Sequence, residues 1–245
     1  MHMNILITGA TAGIGRQLAL EYAKNGHKIF ALGRNQLVLN ELANNSLIIP
    51  LAADITSIDE LMKAAQYILS ITQHLDLVIL NAGTCEYVDV NQFSAQLFKR
   101  VMDINFIGAV NCLEVFLPLL KKSIQPHLVG VSSMSYYLPL SRAEAYGASK
   151  AALNYLFESL AIDLRQYNID VTVVNPGFVK TALTQQNDFP MPFIIPVEEA
   201  ARIIVNGIYK RKAEICFPSK LTIPMKLLSW LPRGLWRKLG CIFRK

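Results

Sequence analysis

Cysteine is scarce and unpatterned: Cys85, Cys112, Cys216 and Cys241 are scattered through 245 residues with no C-x-x-C pair. That spacing excludes a zinc ribbon and a disulfide framework, so ordinary reduced thiols and no metal are expected. No run of eighteen apolar residues occurs, and the start of the chain, Met1 to Thr8, has neither a basic region nor a long apolar segment ahead of a cleavage site. These absences predict no membrane span and no secretory leader, and the expected location is cytoplasmic. Internal repeats, low-complexity tracts and an interdomain linker are also missing. Acidic residues are short at one end only. Residues 210–245 hold ten Lys/Arg against Glu214, so of the net +6 the tail carries +9 and the body −3. Basicity belongs to the tail, not to the fold.

A hydrophobic content of 52 % is ample for one large core. Asn4 to Ile7 reads as a strand running into Thr8-Gly9-Ala10-Thr11-Ala12-Gly13-Ile14-Gly15, after which Leu18 and Tyr22 recur at helical spacing until Gly26. Glycines in a strand–loop–helix let a pyrophosphate approach the amides at the helix amino terminus. Lys28 to Gly33 predicts a second strand ending in Gly33-Arg34-Asn35, where the carboxylate that would hold a ribose 2′-hydroxyl is missing and Arg34 stands in a place suited to a 2′-phosphate. Arg34 as a solvated loop charge is the alternative. A third strand, Leu47 to Ala52, ends at Asp54-Ile55, and Ser57-Ile58-Asp59-Glu60 has the form of a capping box. Asp54 is placed to contact an adenine amino group or to cap a turn.

Asp76 to Leu80 predicts the fourth strand, terminating in Asn81-Ala82-Gly83, at the strand end where open α/β sheets bind ligands. A long helix is expected from Ser94 to Lys122, with Asn105 as a polar residue in an apolar stretch, serving as a bridge or as an anchor for a water. The sixth strand, Asp170 to Val174, leads into Asn175-Pro176-Gly177-Phe178-Val179-Lys180-Thr181; residues 182–196 are expected to form a mobile flap, followed by a helix, Val197 to Tyr209, and a last strand, Glu214 to Phe217. The alternation predicts an α/β fold: a single Rossmann-type, doubly wound parallel sheet with helices on both faces, over residues 1–219. Residues 220–245 are expected to form a basic amphipathic tail.

The chemistry centres on residues 132–150, SSMSYYLPLSRAEAYGASK. Ser133 follows the apolar run Leu128-Val129-Gly130-Val131, and Tyr146 precedes Lys150 by four residues, one face of a helix expected from Tyr146 to about Tyr167. An ammonium beside a phenol stabilises the phenolate and lowers its pKa, making it a usable general acid/base. A serine hydroxyl at a strand end can polarise a carbonyl oxygen. A bare Y-x-x-x-K is also what chance places on helix surfaces.

These ordered motifs resemble the classical short-chain dehydrogenases/reductases over roughly residues 4–218. The resemblance implies a cofactor loop at Gly9, Thr11, Gly13, Ile14 and Gly15, a sheet-stabilising Asn81, Ala82 and Gly83, and a catalytic tetrad of Asn105, Ser133, Tyr146 and Lys150. It further implies contacts to the nicotinamide end from Pro176, Gly177, Val179 and Thr181, with Arg34, Asp54 and Ile55 on the adenosine side. Tyr146 would donate or accept the proton, Ser133 would orient the carbonyl, Lys150 would bind the nicotinamide ribose and lower the Tyr146 pKa, and Asn105 would hold a relay water. Leu80 departs from the pattern, standing where many members have a second asparagine. The implied activity is reversible hydride transfer between NADP(H), with NAD(H) as the lesser alternative, and a carbonyl or alcohol. Met134, Tyr136, Tyr137, Leu138, Phe178, Met191 and Phe193 point to an apolar substrate. A cofactor-binding sensor and a same-fold epimerase or dehydratase are the competing readings.

The tail adds a further expectation. Leu235, Trp236, Leu239, Ile242 and Phe243 form one apolar stripe with Arg233, Arg237, Lys238 and Arg244 largely off it, and Met225 to Leu231 adds a second patch. Pro224 and Pro232 interrupt these segments. A peripheral anchor at the inner face of a membrane is expected. Packing on the chain's own body, over the substrate mouth or on a second copy in a homo-oligomer is the alternative; nucleic acid is not an expected partner.

Overall fold

A computed structural model describes residues 2–242. The chain alternates strand and helix: β1 (Asn4–Thr8), α1 (Gly13–Lys24), β2 (Lys28–Gly33), α2 (Gln36–Leu42), β3 (Ile48–Ala52), α3 (Ile58–Ile71), β4 (Leu77–Leu80), α4 (Ala95–Met102), α5 (Gly108–Leu120), β5 (His127–Val131), α6 (Glu144–Asp163), β6 (Asp170–Pro176). Then follow β7 (Val179–Lys180), β8 (Ile195–Pro196), α7 (Val197–Tyr209), β9 (Glu214–Phe217), α8 (Ser219–Leu228) and α9 (Arg233–Ile242). Seven strands form one parallel sheet in the order β3-β2-β1-β4-β5-β6-β9, while β7 and β8 pair separately.

Successive side chains on a strand point to opposite faces, and here both faces are covered. Ile5 and Ile7 of β1 face a core shared with Leu18, Tyr22 and Ile204 from α1 and α7, while Leu6 between them packs with Leu61, Ile68 and Phe116 from α3 and α5. Each such fully buried side chain contributes roughly 1.5–3 kcal/mol relative to exposure. Pro50 lies in β3, an edge strand, where a missing N–H is tolerated. The order of strands reverses between β1 and β4, which opens a crevice at their carboxyl ends.

Several boundaries differ from the sequence reading. The segment after Asn35 carries a helix, α2, that it did not include: the Asn35 side chain accepts from Val38 N–H at 3.3 Å, and Leu39 and Leu42 are buried. The capping box at Ser57 forms only in half, because the Glu60 carboxylate reaches back to Asp54 N–H (2.8 Å). The helix expected from Ser94 to Lys122 is interrupted by one widened turn at Asp103–Ile107, where Gly108 N–H bonds to the Asp103 carbonyl five residues back. By length and composition the run 95–120 could cross a membrane; 44 % of its apolar window is buried, and it supplies Phe116, Leu119 and Leu120 to the core. The flap at 182–196 is tied down: Ile195 pairs with Val179, Arg142 bridges to Asp188 (2.8 Å), and Tyr87 hydroxyl donates to Asn187 (2.6 Å).

Pro224 does not break the tail. It sits inside α8, where it withholds a partner only from the carbonyl of exposed Lys220, whereas Pro232 does separate α8 from α9. The tail also docks on the body: Thr222 is buried, Lys226 pairs with Glu214, and Trp236 Nε1 donates to the Pro139 carbonyl at 2.9 Å. Trp236 is therefore turned inward, since an indole N–H needs an acceptor. Among the described residues, Ile223, Leu227, Trp230 and Leu235 are the large apolar side chains the tail leaves exposed. Phe243 and Arg244, assigned to the stripe and its basic flank, lie outside the described residues, as does the side chain of Ile242.

Candidate active site

A cleft of about 550 Å³ runs across the carboxyl ends of the strands. Its floor begins at the turn after β1. Gly9 adopts φ +65°, and a Cβ there would stand 2.8 Å from Ala82 Cα. The Asn81 amide locks this turn by donating to Thr8 O (3.0 Å), and Thr8 Oγ1 accepts from the N–H groups of Asn81 (3.0 Å) and Ala82 (3.1 Å). Helix α1 starts without a side-chain cap at Ala12, so its first-turn amides face the cleft free of such a partner. Uncapped amides at the positive end of a helix dipole, behind a glycine turn, fit a pyrophosphate. The residues present thus suit a dinucleotide.

On the adenosine side, Arg34 and Asp54 line the cleft and face each other at 3.5 Å, with the arginine side chain 72 % exposed. Asp54 Oδ1 accepts from Thr56 N–H (2.9 Å) and Oγ1 (2.8 Å), so it is a turn cap as well as a wall residue. Burial pushes its carboxyl up, but the Thr56 hydrogen bonds and Arg34 outweigh that and hold it below the usual range.

At the other end β5 and α6 bring Ser133, Tyr146 and Lys150 to one wall. Lys150 is 4 % exposed; its ammonium donates to the Val131 carbonyl at 3.0 Å and lies 5.8 Å from the centroid of the Tyr146 ring. Burial pulls it down to about 8, which leaves it largely protonated at neutral pH. The Tyr146 phenol is pushed up to about 12, first by burial, with hydrogen bonding to Ser133 opposing and the Cys85 thiol adding to the rise. The lowering expected at Tyr146 is not seen in the polypeptide alone: burial dominates, and it is Ser133 that opposes it. Tyr146 is therefore a neutral phenol at pH 7.

Asn105 is buried in the widened turn and does not line the cleft. Its amide donates to Thr84 O (2.9 Å) and Ser149 Oγ (2.9 Å) and accepts from Thr84 N–H (2.7 Å), tying the loop after β4 to α6. The bridge alternative is realised in its side chain. Gly15 also stands behind the cleft: a Cβ there would fall 2.3 Å from the Gly9 carbonyl oxygen, so its place is close packing of helix on turn. The remaining sequence candidates, Gly9, Thr11, Gly13, Ile14, Ile55, Asn81, Ala82, Gly83, Pro176, Gly177, Val179 and Thr181, all line it.

None of the apolar residues expected around the substrate lines the cleft itself. Met134 and Leu138 are buried, Phe178 meets Phe189 at 6.1 Å, Met191 sulfur faces Asn187, and Phe193 is half exposed at φ +58°. Tyr136 packs on Tyr137 at 4.4 Å, and Tyr137 hydroxyl donates to Glu214 at 2.7 Å. Sequence reasoning missed Thr84, Ile104, Ser132, Leu183 and Gln186, which also line the cleft. Ser132 adjoins Ser133 and holds the α6 backbone, Oγ donating to Lys150 O at 3.1 Å. The S-S doublet was its only signal.

A family model described as short chain dehydrogenase matches residues 3–190. The chain belongs to the short-chain dehydrogenases. It is 36 % identical over 236 residues to an "Uncharacterized oxidoreductase" of Myxococcus xanthus, covering 94 % of this chain and 93 % of that protein. An "11-beta-hydroxysteroid dehydrogenase-like 2" of Arabidopsis thaliana is 33 % identical over 229 residues, 88 % of this chain and 73 % of that one. Among solved structures, a short-chain dehydrogenase from Burkholderia cenocepacia in complex with NADP superposes with TM-score 0.84 at 23 % identity, covering 97 % of each chain. One from Burkholderia phymatum in complex with NAD has TM-score 0.84 at 21 % identity, with 92 % coverage of each. These two likenesses establish the fold. As a member of this family the protein is an oxidoreductase.

Proposed function

We propose that the protein catalyses reversible hydride transfer between NADP(H) and a carbonyl or alcohol carbon of an apolar substrate, with Tyr146 as the general acid/base. The observation that carries this reading is the meeting of Ser133, Tyr146 and Lys150 in the same cleft as the glycine turn and the uncapped start of α1. When bound, the nicotinamide supplies or receives the hydride. The turn at Gly9 and the α1 amides would hold the pyrophosphate, Arg34 would take the 2′-phosphate, and Pro176, Gly177, Val179 and Thr181 would border the nicotinamide end. Ser133 hydroxyl donates to the substrate oxygen, and Tyr146, neutral at pH 7, gives its proton to that same oxygen in the reducing direction. Lys150 holds the ribose and offsets charge as the phenolate forms. Asn105, whose amide is engaged by Thr84 and Ser149, keeps the bridging role, tying the loop after β4 to α6.

An apolar substrate is supported by Ile104, Val179 and Leu183 in the wall and by the aromatic contacts of Tyr87 and Phe178 with Phe189 beyond it. One structural relative holds NADP and another NAD; Arg34 favours the former here. The test is nicotinamide oxidation against a panel of ketones and aldehydes with wild type and Tyr146→Phe. A loss of roughly 10²- to 10⁴-fold in rate with cofactor affinity retained is expected. Wild-type rates in the variant would defeat the assignment.

The tail supports a peripheral membrane location. Ile223, Leu227, Trp230 and Leu235 are exposed beside exposed Lys220, Arg233, Arg237 and Lys238, a pattern matched to an anionic interface at about 1 kcal/mol per nearby cation. Flotation with anionic vesicles at low salt should carry the full chain upward and leave a Leu227→Ser/Trp230→Ser/Leu235→Ser variant behind. A full chain that stays with the soluble fraction ends this reading.

A further inference from the structure

A chain of buried polar contacts leaves the active site and ends on the tail. Lys150 carbonyl oxygen accepts from Ser132 Oγ (3.1 Å) and from Asn154 Nδ2 (3.1 Å), and the same Asn154 nitrogen faces Ser132 hydroxyl and Asn175 Oδ1 (3.3 Å). Asn175 Nδ2 donates to Glu214 Oε1 at 3.0 Å. Ser132, Asn154 and Asn175 are 4 %, 4 % and 0 % exposed, so these amides depend on one another for partners. Glu214 is the hub at which the chain stops being internal. Its Oε1 also accepts from Tyr137 hydroxyl, whose oxygen lies 3.0 Å from Cys216 sulfur, and its Oε2 pairs with Lys226 of α8.

What Glu214 holds touches the catalytic end of the cleft twice, at the wall and at the loop above it. Leu221 of α8 comes within 3.1 Å of where a Cβ on Gly177 would stand, beside Met134 sulfur at 2.9 Å, and Gly177 is a wall residue. Trp236 of α9 donates to the carbonyl of Pro139, in the loop that joins Ser133 to α6. We propose that Glu214 is a positioning residue for the reaction: by clamping Lys226 and Tyr137 together it seats α8 and α9 as the outer wall of the substrate mouth, and so sets which carbonyl compounds are accepted. The inference rests on the oxidoreductase reading above. Burial pushes the Glu214 carboxyl up, but hydrogen bonds from Cys216, Lys226, Tyr137 and Asn175 outweigh it and hold it at about 2, so the clamp stays charged across the working pH range.

Glu214→Gln separates the clamp from the frame. The amide oxygen still accepts from Tyr137 and Asn175, so the contacts leading to Lys150 persist, while the charge that holds Lys226 is gone. Lys226→Met removes the same contact from the tail side, at a position exposed enough to fold if Gln at 214 does not. Both variants are expected to raise KM for a bulky apolar ketone about tenfold and KM for a small ketone less than twofold, with NADPH Kd within twofold of wild type. Amide hydrogen exchange over 219–242 should quicken in both. An unchanged KM for both ketones, or a joint fall of kcat, cofactor affinity and thermal midpoint, would overturn the proposal. Should the wild type reduce no ketone at all, the proposed carbonyl reaction fails instead, and exchange alone decides: unaltered protection of 219–242 in both variants refutes the clamp.

Discussion

The two ends of the cleft are held by different materials. The dinucleotide end is held by backbone: Gly9 at φ +65°, Gly15 packed against the Gly9 carbonyl, Asn81 bonded to main chain, and the bare amides of α1. The substrate end is held by side chains reaching across sequence: Tyr137 and Lys226 on Glu214, Arg142 on Asp188, Tyr87 on Asn187. Close backbone approach admits one residue type, glycine, so the first end has little freedom to vary. Side-chain clasps can be rebuilt from many residue pairs, and the second end is free to follow its substrate. Arg142 shows the cost of that freedom: it holds φ +65° without being glycine, stabilised by one guanidinium nitrogen donating to both Asp188 carboxylate oxygens (2.8 and 2.9 Å) and by its carbonyl accepting from Val88 N–H at 2.9 Å.

The comparison breaks first at Gly15. If that end is a backbone construction, adding one methyl group must be severe, because the Cβ would sit 2.3 Å from the Gly9 oxygen and 2.4 Å from Asn81 Nδ2. Alanine's better helix propensity, about 1 kcal/mol, is outweighed by overpacking of roughly 1–3 kcal/mol and by displacement of the cofactor turn. Gly15→Ala is expected to lower kcat/KM on the order of 10²-fold, as misplacement by about 1 Å can, and to reduce the thermal midpoint by roughly 2–10 °C. Gly234→Ala is the control, since a Cβ there meets nothing within 4 Å. Equal behaviour of the two variants, by steady-state kinetics and calorimetry, would remove the distinction between the ends.

The same division explains what could be read in the sequence. Strands β2 and β9 and helix α7 have the expected limits, because period-2 and period-3.6 patterns mark elements with buried faces. Gly9, Asn81 and Tyr146 were visible as motifs because backbone geometry and helical spacing fix their separation. Helix α2 was missed although Asn35 caps it; only Leu39 and Leu42 of its seven residues are buried, too few for a period. The Glu214 hub left no trace, since Tyr137, Asn175 and Lys226 converge from three unrelated segments. Tail packing stayed only an alternative for the same reason: a stripe of Leu235 and Trp236 looks alike whether it meets lipid or the Pro139 carbonyl. The reversed effect at Tyr146 depends on burial, which spacing does not report.

A smaller effect sharpens the comparison at the place where the dinucleotide end presents an exposed charged side chain. Arg34 is 72 % exposed and tethered to Asp54 only at 3.5 Å, so it can leave that partner for a 2′-phosphate without breaking a buried contact. A charge-assisted contact of this kind is worth roughly 1.5–3 kcal/mol, about one to two decades in affinity, and the exposure of Arg34 places the expected effect at the lower end. Arg34→Ala should therefore weaken NADPH about tenfold and NADH less than twofold, as read by fluorescence titration of both cofactors. Raising the salt should shrink the NADPH difference in the wild type, because an exposed guanidinium–phosphate contact is screened over about 8 Å at physiological ionic strength. Equal wild-type affinities for the two cofactors would place dinucleotide selection in the backbone as well, and Arg34 would be only the exposed partner of Asp54.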